Sequence, residues 1–256
     1  MVIGMPYNSN SNPVMSNKFF SSISGNETMT YEGAMQKIGI LLGFVVISAL
    51  FTSAFSLGAL ENGNGDLLIM LSLGGMIVGF ILAMIIYMTR PKNPAPLMIT
   101  YAIIEGVFIG AMSTTMEIFF PGVVMHAIIG TLAIFGSMYF LYISRVLRPT
   151  PTFTKIVTSL TISIMILYVI SLIISLATPY EMPLLHSSSL MGIGLTIFIL
   201  IIAALNLIMD FGFIEGSVQN GTPKVGEWWG AFGMLITLIW IYIEVLRLLV
   251  KLRSRN

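Results

Sequence analysis

Three carboxylates lie within long apolar stretches of the chain. Glu105 lies near the middle of one stretch, Asp210 lies late in NLIMDFGFIEG, and Glu244 lies well inside WIYIEVLRLL. An acidic residue at the centre of a membrane helix costs about 2.5 to 3.5 kcal/mol on insertion scales, so such residues usually face the protein interior and mark paths for ions, protons or substrates. We therefore treat all three as candidates for proton or ion chemistry.

A purely structural role is the alternative for these residues. Arg247 follows Glu244 by one helical turn on the same face, so the two side chains can pair. Glu105 can serve as a protonated, hydrogen-bonded packing residue. The residue types alone leave both interpretations open.

The composition indicates the setting in which these carboxylates lie. Hydrophobic residues make up 56% of the 256 residues and charged residues only 9%, and the mean hydropathy is +0.94. A soluble domain carries about 25% charged residues, so most of this surface is expected to face lipid. The net charge of +1 does not indicate a nucleic-acid partner. The absence of cysteine excludes disulfides and thiolate metal sites.

Seven apolar segments are long enough to cross a bilayer, which takes about 20 mainly apolar residues in a helix. They are 38–60, 67–88, 96–116, 123–141, 156–177, 190–214 and 228–250. Lipid offers the backbone no hydrogen-bond partners, and period-two alternation is absent, so helices are favoured over a barrel. The sequence predicts an all-α, polytopic transmembrane bundle over residues 36–253. An Asn- and Ser-rich, flexible, polar cytoplasmic tail is expected over residues 1–35.

The placement of Lys and Arg predicts the orientation, because cytoplasmic loops carry an excess of both. The loops after the second, fourth and sixth segments contain Arg90 and Lys92, then Arg145, Arg148 and Lys155, then Lys224. The alternate loops contain Glu61, Asp66 and Glu181 but neither Lys nor Arg. With Lys18 and Lys37 near the first segment, we expect a cytoplasmic N-terminus and a multi-pass protein of the cell inner (plasma) membrane.

The basic C-terminal residues conflict with this orientation. Seven full crossings would put Lys251, Arg253 and Arg255 outside. Either the earlier loops determine the orientation, or the last apolar segment is re-entrant and returns the tail to the cytoplasm. The sequence leaves the side of the C-terminus open.

Small and aromatic residues give two further expectations. Gly75 with Gly79, and Gly106 with Gly110, stand four residues apart, a spacing that predicts close helix contacts. Trp228 and Trp229 are expected at the membrane interface, where tryptophan is enriched.

Catalytic sites of the familiar kinds are absent from the sequence. Two histidines and no cysteine cannot build the usual zinc site. His186 lies in a loop and His126 has no partner that would orient it as a base, so a Ser-His pair lacks support. An intramembrane aspartyl protease would need two membrane aspartates, and only Asp210 qualifies. We expect a protein that is not an enzyme and holds no cofactor.

Two stretches carry a resemblance to a known family. PAPLMITYAIIEGVFIGAMS (94–113) and NLIMDFGFIEGSVQNGTPKVGEWWGAFGMLITLIWIYIEVLRLL (206–249) resemble the Bax inhibitor / YccA-like membrane family in its bacterial branch. The resemblance extends from about Gln36 to Arg253. The second stretch is the more specific, because an acidic residue, a loop and a second acidic residue follow in the family's order.

The resemblance implies a seven-helix bundle with six helices around a central last one, and a pH-sensitive calcium leak channel. In such channels two carboxylates on helices six and seven share a proton as a latch, and an arginine at the end of helix two assists. Those positions fall on Asp210, Glu244 and Arg90 here, and Arg247 is a further supporting residue. Glu244 stands where the typical latch has a second aspartate, and the loop between the pair is longer.

Protonation offers a physical mechanism for such a latch, because neighbouring buried carboxyls titrate as a coupled pair. Protonated, they hydrogen-bond and close a path; deprotonated, they repel and offer hard oxygen ligands suited to Ca²⁺. Asp210 and Glu244 are therefore candidate Ca²⁺ ligands, with Ca²⁺ as the permeant ion. Glu105 is included in the candidate ion path only because it lies deep within its apolar segment.

Two other functions compete with the cation leak. One is a non-conducting regulatory protein that binds a membrane protease or other membrane machinery, with the N-terminal tail as the natural contact. The other is a proton-coupled transporter, which an inverted repeat would favour, and we find none.

Overall fold

Long helices account for nearly all of the chain that the computed structural model describes, namely residues 27–177, 185 and 187–255. They are α1 (Tyr31–Glu61), α2 (Asp66–Thr89), α3 (Ala95–Phe119), α4 (Val123–Ile143), α5 (Pro151–Ala177), α6 (Leu190–Gln219) and α7 (Gly226–Ser254). Within these residues, seven helices are long and apolar enough to cross a membrane. The predicted all-α, polytopic fold is confirmed, and each helix contains the segment predicted for it.

The first helix begins earlier than the sequence predicted. Thr30 caps α1 because its side chain accepts a hydrogen bond from the Gly33 amide at 2.9 Å, which satisfies one of the free amides of the first turn. The helix therefore starts at Tyr31, inside the tail predicted over residues 1–35. Residues 1–26 of that tail lie outside the described residues, as do Glu181 and His186.

The last helix is continuous. α7 runs for 29 residues, about 43 Å at 1.5 Å per residue, whereas one crossing of the hydrocarbon core needs about 30 Å. A re-entrant segment would need a turn within this length, so the re-entrant interpretation is wrong. Lys251 and Arg253 lie in the last turn of α7.

The helices form two compact units, each described here by itself. The N-terminal unit comprises α1, α2 and α3, residues 214–219 at the end of α6, the α6–α7 connection, and residues 226–235 at the start of α7. The C-terminal unit comprises α4 and α5 with the described residues up to 213 of α6 and residues 236–255 of α7. α6 and α7 thus contribute residues to both units.

The degree of burial differs among the helices. In α6 and α7, half of the most apolar stretch is buried within the protein, and in α3 44%. In the other four helices the fraction is only 17–22%. α6 and α7 are therefore the most buried of the seven described helices, and the central position of the last helix stays a prediction.

One aromatic residue near the start of α7 is buried. Trp229 is fully buried and packs edge-on against Phe232, with ring centroids 6.5 Å apart. Trp229, near the start of α7, therefore faces the protein and not lipid headgroups, and its depth in the membrane stays a prediction.

Glycines bring the helices of the N-terminal unit into close contact. α3 packs against both α1 and α2. A Cβ atom added at Gly106 would lie 1.8 Å from the Ser48 hydroxyl oxygen, and one added at Gly110 would lie 2.4 Å from the Ala49 carbonyl oxygen. A Cβ atom added at Gly75 would likewise lie 2.9 Å from the Cβ atom of Phe108. The predicted glycine contacts are confirmed.

We expect Gly110→Ala to lower the free energy of unfolding by about 1 to 3 kcal/mol, the usual cost of overpacking. The clashing atom belongs to the backbone of α1 and cannot rotate away. Gly43→Ala on α1 is the matched control, since an added Cβ there meets nothing within 4 Å. Thermal unfolding in detergent, followed by tryptophan fluorescence, measures both variants. Equal midpoints for the two would contradict the glycine contact.

Candidate functional site

Asp210 lies on α6 opposite Thr237 of α7, and the Thr237 side chain hydrogen-bonds it. The residue is partly buried, and its Oδ2 atom is buried without a hydrogen-bond partner among the described residues. A carboxylate oxygen without a donor is costly in a low-dielectric environment. A proton or a cation would therefore be stabilised at this oxygen.

Glu244 is fully buried and lies in a compact hydrogen-bonded group. The Tyr168 hydroxyl of α5 donates to Oε1 of Glu244 at 2.5 Å. Arg247 Nη1 donates to both carboxylate oxygens, at 3.0 and 3.2 Å, and to the Tyr168 hydroxyl oxygen at 2.6 Å. The predicted pairing of Glu244 with Arg247 is confirmed. The guanidinium of the partly exposed Arg247 thus neutralises the buried carboxylate of Glu244.

The guanidinium of Arg247 also lies over the Tyr168 ring, 5.1 Å from its centroid. One tyrosine therefore contacts both members of the ion pair: its hydroxyl contacts the carboxylate and its ring contacts the cation. Arg247 itself keeps 33% of its side chain exposed.

Two further polar contacts join the same helices. Asn206 of α6, one turn before Asp210, donates to Thr161 of α5 at 2.9 Å. Lys251 of α7 is buried, and its Nζ donates to the Gly192 carbonyl at 3.0 Å and to the Thr196 hydroxyl at 2.9 Å, both on α6.

These contacts form one row of polar side chains, which we call the polar seam. On each helix successive members are three, four, seven or ten residues apart, close to whole numbers of helical turns, and so lie on roughly the same face. The seam consists of Thr161 and Tyr168 on α5, of Thr196, Asn206 and Asp210 on α6, and of Thr237, Glu244, Arg247 and Lys251 on α7. From Asp210 to Thr196 it covers about 21 Å of helix axis, out of a hydrocarbon core of about 30 Å.

An apolar cluster lies beside the middle of the seam. Ile164 of α5 packs with Ile199 and Ile202 of α6, and Trp240 of α7 packs against them. Apolar constrictions exclude water and ions. The middle of the seam is flanked by apolar side chains in the part of the chain that the structure describes.

Asp210 and Glu244 share no hydrogen bond in the described part of the chain. Because Asp210 is opposite Thr237, and Glu244 follows Thr237 by about two helical turns, the two carboxylates are offset by roughly 10 Å along α7. Each has its own partners in this conformation. A latch in which they share a proton requires α6 and α7 to shift, and it stays a prediction.

The structure places Glu105 and Arg90 in the N-terminal unit. Glu105 is 8% exposed, hydrogen-bonds the Tyr101 side chain and lies against Gly79 of α2, which fits the packing role left open by the sequence. Arg90 ends α2 in a left-handed conformation, with its guanidinium 5.8 Å from the Tyr87 ring centroid. The ion-path role of Glu105 and the supporting role of Arg90 stay predictions.

A second buried charge was not anticipated. Glu227, in the first turn of α7, is fully buried and pairs with Lys37 of α1 at 2.8 Å. It also accepts hydrogen bonds from the amide and hydroxyl of Thr30, both at 3.1 Å. The sequence offered no signal for this pair, because both residues lie at the ends of apolar segments, where charge is ordinary.

The residues before α1 pair with the α6–α7 connection next to this ion pair. The Met29 amide donates to the Thr222 carbonyl at 2.7 Å, and the Lys224 amide to the Glu27 carbonyl at 3.0 Å. The side chains of Glu27 and Lys224 form an exposed salt bridge. Its hydrogen bond lowers the pKa of the Glu27 carboxyl and raises the pKa of the Lys224 ammonium.

Six members of the seam were not singled out from the sequence as site residues: Thr161, Tyr168, Thr196, Asn206, Thr237 and Lys251. A usable signal existed, because polar residues at three- and four-residue spacing on apolar helices indicate a buried face. The described residues contain no group of three His, Cys, Asp or Glu side chains that could hold a metal ion. Asp210 and Glu244 thus do not converge into a site that could supply the six to eight oxygens Ca²⁺ prefers.

Comparison with known proteins identifies one family. A family model described as Bax inhibitor 1 like matches residues 12–254, a range that includes all seven helices and the whole polar seam. No curated protein and no solved structure matches the chain.

We expect Tyr168→Phe to lower the free energy of unfolding by about 1.5 to 3 kcal/mol, the range for a hydrogen bond to a charged group. The variant keeps the ring under Arg247 but removes the donor to Glu244. Tyr139→Phe is the control, since that ring packs on Phe211, 5.5 Å between centroids, and is 46% exposed. Thermal unfolding of both in detergent tests the expectation, and a Tyr168→Phe protein as stable as Tyr139→Phe would refute it.

Glu227 and Glu27 allow a second comparison, between a buried and an exposed ion pair. Glu227→Ala leaves Lys37 without its buried partner and should cost about 3 kcal/mol, the low end for a broken buried pair, since Lys37 keeps 17% of its side chain exposed. Glu27→Ala removes an exposed bridge and should change the unfolding midpoint little. Chemical denaturation of the two variants in the same detergent distinguishes them. A smaller loss for Glu227→Ala than for Glu27→Ala would show that burial does not determine the strength of these pairs.

Proposed function

The chain belongs to the Bax inhibitor 1 like family, and we propose that this multi-pass membrane protein is a pH-sensitive leak for Ca²⁺ through the polar seam. The observation that carries the proposal is the seam itself. Polar side chains are costly in lipid, yet they follow the contacts of α5, α6 and α7 over most of a membrane thickness. Two of them are carboxylates, the ligands that Ca²⁺ prefers.

Asp210 is the residue on which protonation acts first in this proposal. Its Oδ2 atom has no partner in the described structure, whereas Glu244 is neutralised by Arg247. Ionised Asp210 attracts a cation into its end of the seam. Protonated Asp210 does not, and it can donate a hydrogen bond to a neighbouring oxygen. The flux should therefore rise as the pH rises through the titration of this carboxyl.

Opening requires α6 and α7 to move relative to α5. The Tyr168–Glu244–Arg247 group and the apolar cluster both join these helices in the closed conformation. If Glu244 leaves Arg247, its carboxylate becomes available to a passing cation or to Asp210. The proton latch implied by the family resemblance then forms only in a conformation in which the roughly 10 Å axial offset between Asp210 and Glu244 has been removed.

The predicted orientation is part of the proposal. A cytoplasmic N-terminus in the inner (plasma) membrane follows from the distribution of Lys and Arg among the loops. With seven single crossings, the C-terminal end of α7 then lies on the opposite face.

Reconstitution into liposomes tests the proposal. We expect purified protein to pass Ca²⁺, measured with an entrapped calcium dye, at a rate that increases with pH. Asp210→Asn imitates the protonated carboxyl and should give a low flux with a flattened pH response. Glu61→Gln, an exposed site at the end of α1, serves as the control and should leave the profile unchanged.

Calcium flux no greater than that of empty vesicles would overturn the proposed leak. The result would favour the regulatory protein that binds membrane machinery. A chain lacking residues 1–26 separates the two functions, because a leak through the seam does not need the tail. Unchanged flux in that chain supports the leak, and loss of flux would place an essential part of it outside the helices.

A further inference from the structure

Lys251 has an environment that ordinary packing does not explain. Its ammonium is buried, at 4% exposure of the residue, and both of its hydrogen bonds are to neutral oxygens, those of Gly192 and Thr196. No carboxylate among the described residues lies within ion-pair distance of it. The nearest acidic member of the seam, Glu244, lies about two turns away and is already bound by Arg247 and Tyr168.

The direction of the side chain is also informative. A lysine in the last turn of a helix is favoured when it interacts with the carbonyls of that turn. The Lys251 side chain instead reaches across to the first two turns of α6, which begins at Leu190. The N-terminal end of a helix carries partial positive charge, so a cation there is disfavoured. Helix capping of α7 therefore does not account for the position of this ammonium.

Charge is distributed unevenly along the seam. Asp210 lies at one end with a free oxygen, Glu244 and Arg247 neutralise each other in the middle, and Lys251 lies at the other end. A metal cation that enters from the Asp210 end is first attracted and is then repelled by the Lys251 ammonium, which pairs with no carboxylate among the described residues. In a low-dielectric environment that repulsion is far stronger than in water.

We propose that Lys251 is the charge barrier of the cation path, and that its ammonium must leave Gly192 and Thr196 before a metal cation can pass. The inference rests on the proposed leak through the polar seam and adds to it the residue that keeps the closed path impermeable. Lys251 acts on the permeant ion through its charge. A substitution that keeps the charge should keep the barrier, and one that removes it should make the path leak.

The test compares Lys251→Met with Lys251→Arg in the liposome assay. Methionine keeps an unbranched apolar stem of similar length, and arginine keeps the positive charge. We expect Lys251→Met to raise Ca²⁺ flux at low pH, where the wild type is closed, by about tenfold or more, since each tenfold step corresponds to about 1.4 kcal/mol of barrier. Lys251→Arg should stay within about twofold of the wild type, well below that step. Monodisperse elution and an unchanged helical circular-dichroism signal establish that each variant is folded.

Charge can also be restored chemically, because the chain contains no cysteine. Lys251→Cys then carries the only thiol, and aminoethyl methanethiosulfonate converts it to a mixed disulfide with release of methanesulfinate. The product has an ammonium at nearly the position of the lysine Nζ. We expect this reagent to close the leak of Lys251→Cys and methyl methanethiosulfonate, which adds no charge, to leave it open. Leu252→Cys, 43% exposed, is the matched control and should respond to neither reagent.

The outcomes separate this inference from the proposed leak. If the wild type conducts, Asp210→Asn alters the flux, and Lys251→Met behaves as the wild type, Lys251 is not the barrier although the leak stands. If the wild type does not conduct and Lys251→Met does, the proposed wild-type leak is overturned, whereas the charge barrier at Lys251 is supported. If neither conducts, both ideas fail.

Discussion

A charged or hydrogen-bonding group inside a bilayer must find its partner in the protein, because lipid provides none. This constraint governs the C-terminal unit of the protein. Every polar side chain of the seam lies where α5, α6 and α7 meet, and each bond that satisfies it also joins two helices, or two turns of one. The hydrogen bonds that satisfy these polar groups are therefore also contacts that hold the helices in their arrangement.

In the N-terminal unit, which also lies in lipid, the helices associate mainly through glycine contacts. There the helices approach through glycine, with the Ser48 hydroxyl and the Ala49 carbonyl of α1 in the space that a side chain on α3 would occupy. Close backbone packing replaces hydrophobic association, which has little force between helices already in lipid. In this unit the buried Glu227 and the partly exposed Lys37 form an ion pair near the helix ends, where it joins α1 to α7.

The seam links stability to the proposed function. The Tyr168–Glu244–Arg247 group stabilises the closed conformation because it leaves no buried charge unpaired. Those same bonds must break if the Glu244 carboxylate is to contact a cation. The proposed conducting conformation therefore has fewer hydrogen bonds to its buried charged groups. Among the described residues of the seam, Asp210 has an oxygen without a hydrogen-bond partner, and Lys251 has hydrogen bonds to neutral oxygens only. The charges at the two ends of the seam thus lack a partner of opposite charge among the described residues, whereas those in the middle are paired. This distribution suits the proposed path, which is normally shut and opens when a charge changes.

The sequence by itself determined that the chain is a membrane protein with seven helices, because the length and apolarity of each segment are local properties set by bilayer thickness. It also identified Asp210, Glu244 and the pairing of Glu244 with Arg247, since the last depends only on the spacing within one helix. Which residues of other helices meet these groups was decided by the tertiary structure alone. The helix rotation and the axial register that bring Tyr168 to Glu244, Thr237 to Asp210 and Lys251 to Thr196 depend on packing summed over whole helices. The same is true of the roughly 10 Å axial offset between the two carboxylates, which no residue type or spacing in the sequence encodes by itself.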